Sequence, residues 1–254
     1  MKRFLILLSL LFCNVVFADT INLHWLNEDG STYQNSTCVI DSDLILPSTP
    51  PTKYGYTFTG WKIENYTQIE YLESSGTQYI NTGVLPNDTI GIEADVVWLK
   101  SGGDEEQIFG TRYNNDDTRF YAPSLYTGKA GYGWGDDWVL TNYTLNTATI
   151  YNVKFNYKND RQVEINNNVI GALTSHLPEN ISGNTLPMFA GLYLQYRFLL
   201  TGRIYRARIT NGSSLVRDFI PVLDKGGVPC MFDKVEGKFY YNQGTGQFIA
   251  GPSL

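Results

Sequence analysis

Histidine and cysteine are nearly absent from this chain of 254 residues, which has two of the first and three of the second. His24 and His176 stand far apart, and neither has a neighbour at zinc-ligand spacing. The Gly-x-Ser-x-Gly elbow of serine hydrolases is missing as well. A cysteine–histidine nucleophile in the larger part of the chain would have only Cys230 and His176 to draw on, and nothing in the sequence brings them together. Basic residues are also short, with 19 Lys and Arg against 25 Asp and Glu and a net charge of −6. Nucleic-acid affinity rests on neutralising phosphates with Lys and Arg, so this balance argues against a nucleic-acid partner. Clusters of the helix formers Ala, Leu and Glu are scarce. The 18 Tyr and 24 Gly, with abundant Asn, favour strands and turns instead.

What is there begins with the build of a secretory signal peptide over residues 1–18. Lys2 and Arg3 are the charged start, Phe4 to Phe17 is almost wholly apolar, and Val16-Phe17-Ala18 supplies small residues where a signal peptidase reads. An uncleaved N-terminal anchor is the competing reading, although the run is short for a span, and no later segment is apolar enough to cross a bilayer. Cleavage would remove Lys2 and Arg3 and take the charge from −6 to −8.

Two units follow. In residues 19–63, Ile21 to Trp25 alternates apolar and polar, Asn27-Glu28-Asp29-Gly30 turns the chain, and Pro47, Pro50 and Pro51 break regular structure. Tyr56 to Thr59 then resumes the alternation, and Gly60-Trp61 closes it. A unit this small buries little area, so Trp25, Phe58 and Trp61 are expected to carry its core. In residues 64–254, strands are expected at Ile92–Trp98, Gln107–Gly110, Gln162–Ile165, Arg203–Ile209, Leu215–Val222 and Lys238–Tyr241. The clearest is Thr149 to Lys158, with Tyr151, Val153, Phe155 and Tyr157 on one face and Asn and Lys on the other. Asn166-Asn167-Asn168 and Asn211-Gly212 are hairpin turn signals. Many short strands without helices between them imply an all-β sandwich or jelly roll.

The opening Ile21–Trp25 strand and the run Pro51 to Trp61 resemble the Listeria–Bacteroides repeat, also called the internalin B-type repeat. That resemblance implies a small β-grasp-like module, used in secreted and surface proteins as a spacer or adhesion element. The larger unit resembles the concanavalin A-like, laminin G-like family, in its bacterial and prophage branch. The matching residues are Ile69 to Gly83 near the start, and Val216 to Pro221, Gly227 to Asp233, Gly237 to Asn242 and Gly246 to Phe248 near the end. The resemblance implies a concanavalin A-like jelly roll whose first and last strands are neighbours, of a kind that binds glycans or proteins. Relatives often carry a cysteine where this chain has Val222, which leaves Cys230 without that partner.

Candidate sites follow from residue chemistry. Tyr132, Trp134, Asp136, Asp137 and Trp138 crowd aromatic rings and carboxylates into one glycine-broken stretch. Rings stack on the flat faces of sugars and carboxylates accept their hydroxyls. The competing reading puts Trp134 and Trp138 in the core and uses the aspartates as turn caps. Asn114, Asn115, Asp116 and Asp117 offer hard oxygen ligands that suit calcium, against the plain reading of a polar hairpin loop. Glu93 and Asp95 share a strand face, as two carboxylates of a glycoside hydrolase would. The third carboxylate of the laminarinase pattern is missing, and the plain reading pairs them with Arg or Lys. Arg206 and Arg208 share a face in the same way.

The expectation is a bacterial, secreted or surface-exposed, non-catalytic binding or adhesion protein that recognises carbohydrate or a surface glycoprotein and has no stable membrane span after signal cleavage. The alternatives are a structural component of a surface or phage-like assembly and, last, a glycoside hydrolase.

Overall fold

The structure, a computed structural model, describes residues 2–10, 20–27, 32–39, 47, 49–52, 54–64, 66–100, 105–112, 119–174, 184–193 and 195–254. It is all-β, with no α-helix among the described residues. The chain divides into two compact units, residues 1–67 with 224–226 and residues 68–223 with 227–254.

The smaller unit is a four-stranded sheet of β1 (Lys2–Leu10), β2 (Thr20–Leu26), β3 (Thr32–Val39) and β4 (Tyr56–Glu64), in the order β3-β2-β1-β4. β1 covers the charged start and part of the apolar run of the expected leader. It pairs antiparallel with β2 and parallel with β4. Trp25 is fully buried, and its indole N–H donates to the Ser36 hydroxyl at 2.8 Å. Buried indoles need such a partner because an unmet N–H is costly in an apolar setting. The side chains of Phe58, Trp61, Cys38 and His24 lie outside the described residues.

After β5 (Tyr66–Gln68), the larger unit runs through β6 (Leu72–Ser75), β7 (Ile80–Asn81), β8 (Ile90–Trp98), β9 (Glu106–Gln107), β10 (Phe109–Arg112), β11 (Arg119–Tyr126), β12 (Lys129–Gly135) and β13 (Asp137–Thr144). It continues with β14 (Ile150–Phe155), β15 (Gln162–Ile165), β16 (Asn168–Ala172), β17 (Pro187–Met188), β18 (Ala190–Tyr193) and β19 (Gln195–Arg197). The last strands are β20 (Thr201–Asn211), β21 (Ser214–Asp224), β22 (Pro229–Asp233), β23 (Lys238–Tyr240) and β24 (Ile249–Ala250). One sheet has the order β13-β12-β11-β10-β17-β7, with β18 also pairing β10. The other runs β16-β15-β14-β8-β20-β21-β22-β23 and also holds β6 and β24. The ladders are antiparallel apart from β10 with β18.

The two sheets face each other across one core, the arrangement of a β-sandwich. Phe120 and Trp134 from the first sheet meet Phe155 from the second, with ring centroids 5.0 and 5.6 Å apart. Each such ring is worth about 1.5–3 kcal/mol when fully buried, with about 0.5–1.5 kcal/mol more per aromatic pair. Period-two alternation decides which residues enter the core. On β14, Tyr151, Val153 and Phe155 are buried, while Asn152 and Lys154 face out. That strand was expected to run on to Lys158. It stops at Phe155 because Asn156 turns left-handed at φ 49 and begins a single 3-10 turn. The turn approaches β8 so closely that a Cβ on Gly91 would sit 2.1 Å from the Asn156 carbonyl oxygen. Asn166 and Asn167, with φ of 50 and 61, form the two-residue turn between β15 and β16 that Asn tolerates best after Gly.

The two marked ends of this unit are neighbours. β24 pairs with β6, Ile69 bridges Ser253, and the Leu254 N–H donates to the Gln68 carbonyl. The Gln78 side chain binds the Thr245 carbonyl at 3.1 Å, and the Tyr79 N–H binds the Asn242 side chain at 3.2 Å. The residues that carried the family resemblance at each end are thus hydrogen-bonded to one another.

Candidate binding groove

Strand alternation splits the aromatic and acidic stretch 132–138 between two faces. On β12, Ala130, Tyr132 and Trp134 point inward, and Gly131 and Gly133 point out. Tyr132 is 7% exposed and Trp134 only 2%. Trp134 packs against Phe120 and Phe155, with the Arg161 guanidinium 5.3 Å above its ring. Neither ring is open to a ligand. Asp136 sits in the turn into β13, where its backbone carbonyl accepts from the Arg119 side chain. Asp137 and Trp138 are exposed, and Trp138 is the one ring of the stretch that faces solvent on the outer side of the sheet.

That outer side holds an open groove of about 400 Å³, lined by Glu105, Arg112, Arg119, Tyr121, Tyr126, Trp138 and Phe198. Its floor exists because of the glycines. Gly133 lies between Tyr121 on β11 and Trp138 on β13, in register with both. A Cβ there would meet the Tyr121 ring at 2.9 Å. Gly131 lies under the Trp138 indole, 3.3 Å from where its Cβ would be. Gly110 and Gly191, on β10 and β18, leave room for the Gln107 amide, whose oxygen would stand 1.9 and 2.0 Å from their Cβ positions. Tyr121 forms the bottom at 4% exposure, with Phe198 beside it at 6.4 Å between ring centroids. Tyr126 and Trp138 meet edge to face at 5.6 Å on the rim.

The groove also carries charged groups. Arg112 and Arg119 are direct register partners, and the Arg112 side chain bonds the Tyr121 hydroxyl. Burial, with the Glu105 carboxylate adding to it, pushes the Tyr121 phenol up to about 12, so it is a neutral hydroxyl at ordinary pH. One Glu105 oxygen accepts from Gln107 Nε2 at 3.0 Å and from Ser124 Oγ at 2.9 Å. Its second oxygen has no partner among the described residues. Gln107 is fully buried, and its own amide oxygen has no hydrogen-bond partner among the described residues. Rings for stacking, guanidinium groups and the Glu105 carboxylate therefore line one recess, which suits a ligand with flat apolar faces and many polar substituents.

The outer face of the second sheet differs. Glu93 is 3.6 Å from Arg208, Asp95 accepts from Asn152 at 2.8 Å, and Asp218 lies within 3.4 Å of both Arg206 and Arg208. Glu93, Asp95, Asn152, Arg206 and Arg208 line a hollow of about 50 Å³. Lys154 with Glu164 and Arg203 with Glu73 extend the same ladder of charges. The calcium candidates Asn114, Asn115, Asp116 and Asp117 lie outside the described residues, as does His176. Among the described residues no group of three or more His, Cys, Asp or Glu is set to hold a metal, and no helix is long and apolar enough to cross a membrane.

A scan against protein-family models and a search of curated proteins found no match to the chain.

Of the residues singled out in the sequence, Trp138 lines this groove, and its other lining residues were not singled out. The one available signal was the alternation of Gly131 and Gly133 with Tyr132 and Trp134, which marks a strand whose bare face is left for something else to cover.

Proposed function

We propose that the chain is a secreted or surface-exposed, non-catalytic binding protein. Residues 64–254 are a concanavalin A-like, laminin G-like jelly roll that recognises carbohydrate or a surface glycoprotein through the Trp138 groove. Residues 19–63 are a β-grasp-like repeat that presents it. The observation that carries this reading is the groove itself, where Trp138, Tyr126 and Phe198 stand around a glycine floor together with hydrogen-bonding groups. The engagement of Glu93 and Asp95 by Arg208 and Asn152, away from that groove, supports a binding role over hydrolysis. The test is a glycan array probed with the full chain and with the double variant Trp138→Ala, Tyr126→Ala. Binding that the double variant loses, while its melting curve stays cooperative, supports the proposal. A folded chain that binds no glycan overturns it.

One observation favours assembly as a second reading. β13 ends its sheet among the described residues, and its sequence Asp137-Trp-Val-Leu-Thr-Asn-Tyr-Thr144 carries no Lys or Pro to blunt the open edge. Concentration-dependent self-association in sizing experiments, abolished by a proline at Leu140, would support it.

A further inference from the structure

We infer that the groove takes a glycan that bears an N-acetylated amino sugar, whose acetamido N–H donates to Glu105 while the sugar ring stacks on Trp138. This rests on the reading of the groove as a carbohydrate site and names the ligand class. Glu105 lines the groove and is held in place by the protein. One of its oxygens accepts from Gln107 Nε2 at 3.0 Å and from Ser124 Oγ at 2.9 Å, which leaves the other open among the described residues. Ser124 Oγ and Trp138 Cζ2 lie 3.4 and 3.3 Å from the point that a Cβ on Gly131 would occupy, so the carboxylate and the indole share one part of the groove. An acceptor fixed before the ligand arrives costs little ordering on binding, which lets a single polar group set specificity.

The surrounding groups define the donor. Arg112 bonds the Tyr121 hydroxyl, Arg119 bonds the Asp136 carbonyl, and each has further partners, so both are engaged with the protein itself. Their side chains line the recess all the same. Their charge opposes a cationic donor at Glu105, and the Glu105 carboxylate opposes an anionic group beside it. A neutral N–H or O–H is the fitting partner. The rings decide between these two. Tyr126 meets Trp138 at 5.6 Å and Tyr121 meets Phe198 at 6.4 Å, which makes two ring pairs in one recess. One pyranose face covers one indole, and a plain hexose has only hydroxyls to offer the second pair. An acetamido group supplies a methyl for those rings and an N–H for the carboxylate on one planar unit.

The experiment measures binding of the full chain to matched oligosaccharide sets that differ at one position only, where they carry a hydroxyl, an acetamido or a free amino group. The acetamido set should bind about ten-fold tighter or more than the hydroxyl set, as expected for a hydrogen bond to a charged acceptor. The amino set should bind more weakly than the acetamido set. Glu105→Gln should remove the acetamido preference and melt close to the parent. The new amide oxygen keeps the bonds from Gln107 and Ser124, which turns the amide NH₂ toward the ligand and sets donor against donor. Trp138→Ala should weaken binding of all sets. If the acetamido and hydroxyl sets bind equally and only Trp138→Ala weakens them, the inference is overturned and the groove reading stands. An amino set that binds tightest also overturns the inference and assigns a cation to Glu105. An acetamido preference that neither variant changes places the ligand elsewhere and overturns both readings, as does a folded chain that binds none of the sets.

Discussion

Trp134 and Trp138 stand four residues apart and should answer the same substitution in opposite ways. Trp134 is 2% exposed and is wedged between Phe120 and Phe155 at 5.6 Å from each. Truncating it to Ala leaves a cavity in the middle of the sandwich, at a cost of about 3–5 kcal/mol. For a unit of this size each kcal/mol lowers the melting temperature by about 2–4 °C, so a fall of roughly 6–20 °C is expected. Trp138 is 36% exposed, with one edge against Tyr126 and one over Gly131. Its removal opens no closed cavity. The loss is partial burial and one edge-to-face contact, about 1–2 kcal/mol, and a few degrees of melting temperature. Ligand affinity should move the other way, collapsing with Trp138→Ala and holding in Trp134→Ala under conditions where that variant is still folded. Calorimetry gives the stabilities and a glycan-binding assay the affinities. Equal melting losses, or a larger loss from Trp138→Ala, would refute the assignment of faces on β12 and β13 and with it the groove.

Other outcomes test the framework around the site. Burial raises the Glu106 carboxyl above its ordinary value of 4.5, against the opposing hydrogen bonds from Thr201. The folded state thus holds that proton longer than the unfolded state, and stability falls as pH rises from about 4.5 through the raised value. Glu106→Gln should accordingly be more stable than the parent at pH 7, with the difference vanishing below pH 4.5, as read from urea melts across that range. Asp233 is fully buried and accepts from the backbone N–H groups of Asp218 at 2.9 Å and Val235 at 3.0 Å, with Arg217 at 3.6 Å. Asp233→Ala leaves both N–H groups without that acceptor and takes one carboxylate from Arg217, which keeps Glu236 at 2.8 Å, and should cost about 3–5 kcal/mol in the same assay. Gly91→Ala drives a methyl group into the Asn156 carbonyl and should cost roughly 3 kcal/mol, mainly by shifting the 156–161 turn, which amide hydrogen exchange would report.

Much of the sandwich was legible in the sequence because alternation writes itself into composition. Tyr151, Val153 and Phe155 announced their buried face and Asn166-Asn167 their turn, while Asn211-Gly212 marked the second hairpin one residue early, its turn being Gly212-Ser213. Strand ends were less legible. β14 was expected to reach Lys158 because Tyr157 keeps the pattern, yet pattern alone does not reveal that Asn156 adopts φ 49. The site was legible only in part. Alternation says that Tyr132 and Trp134 share a face with each other and not with Gly133. It does not say which face the second sheet covers, so a buried and an exposed tryptophan look alike. Arg112 and Arg119 were out of reach for another reason, since only the register of β10 against β11 makes them neighbours, and register is a long-range property set by the packing of the whole sheet.

The pairing of β24 with β6 also has a consequence for how the larger unit comes into being. Its edge is completed by residues 249–254 lying against residues 68–73, so some of the first residues of the unit to be synthesised wait for some of the last. A sandwich closed in this way has high contact order and folds slowly. It cannot lock into place until residues 249–254 have been made.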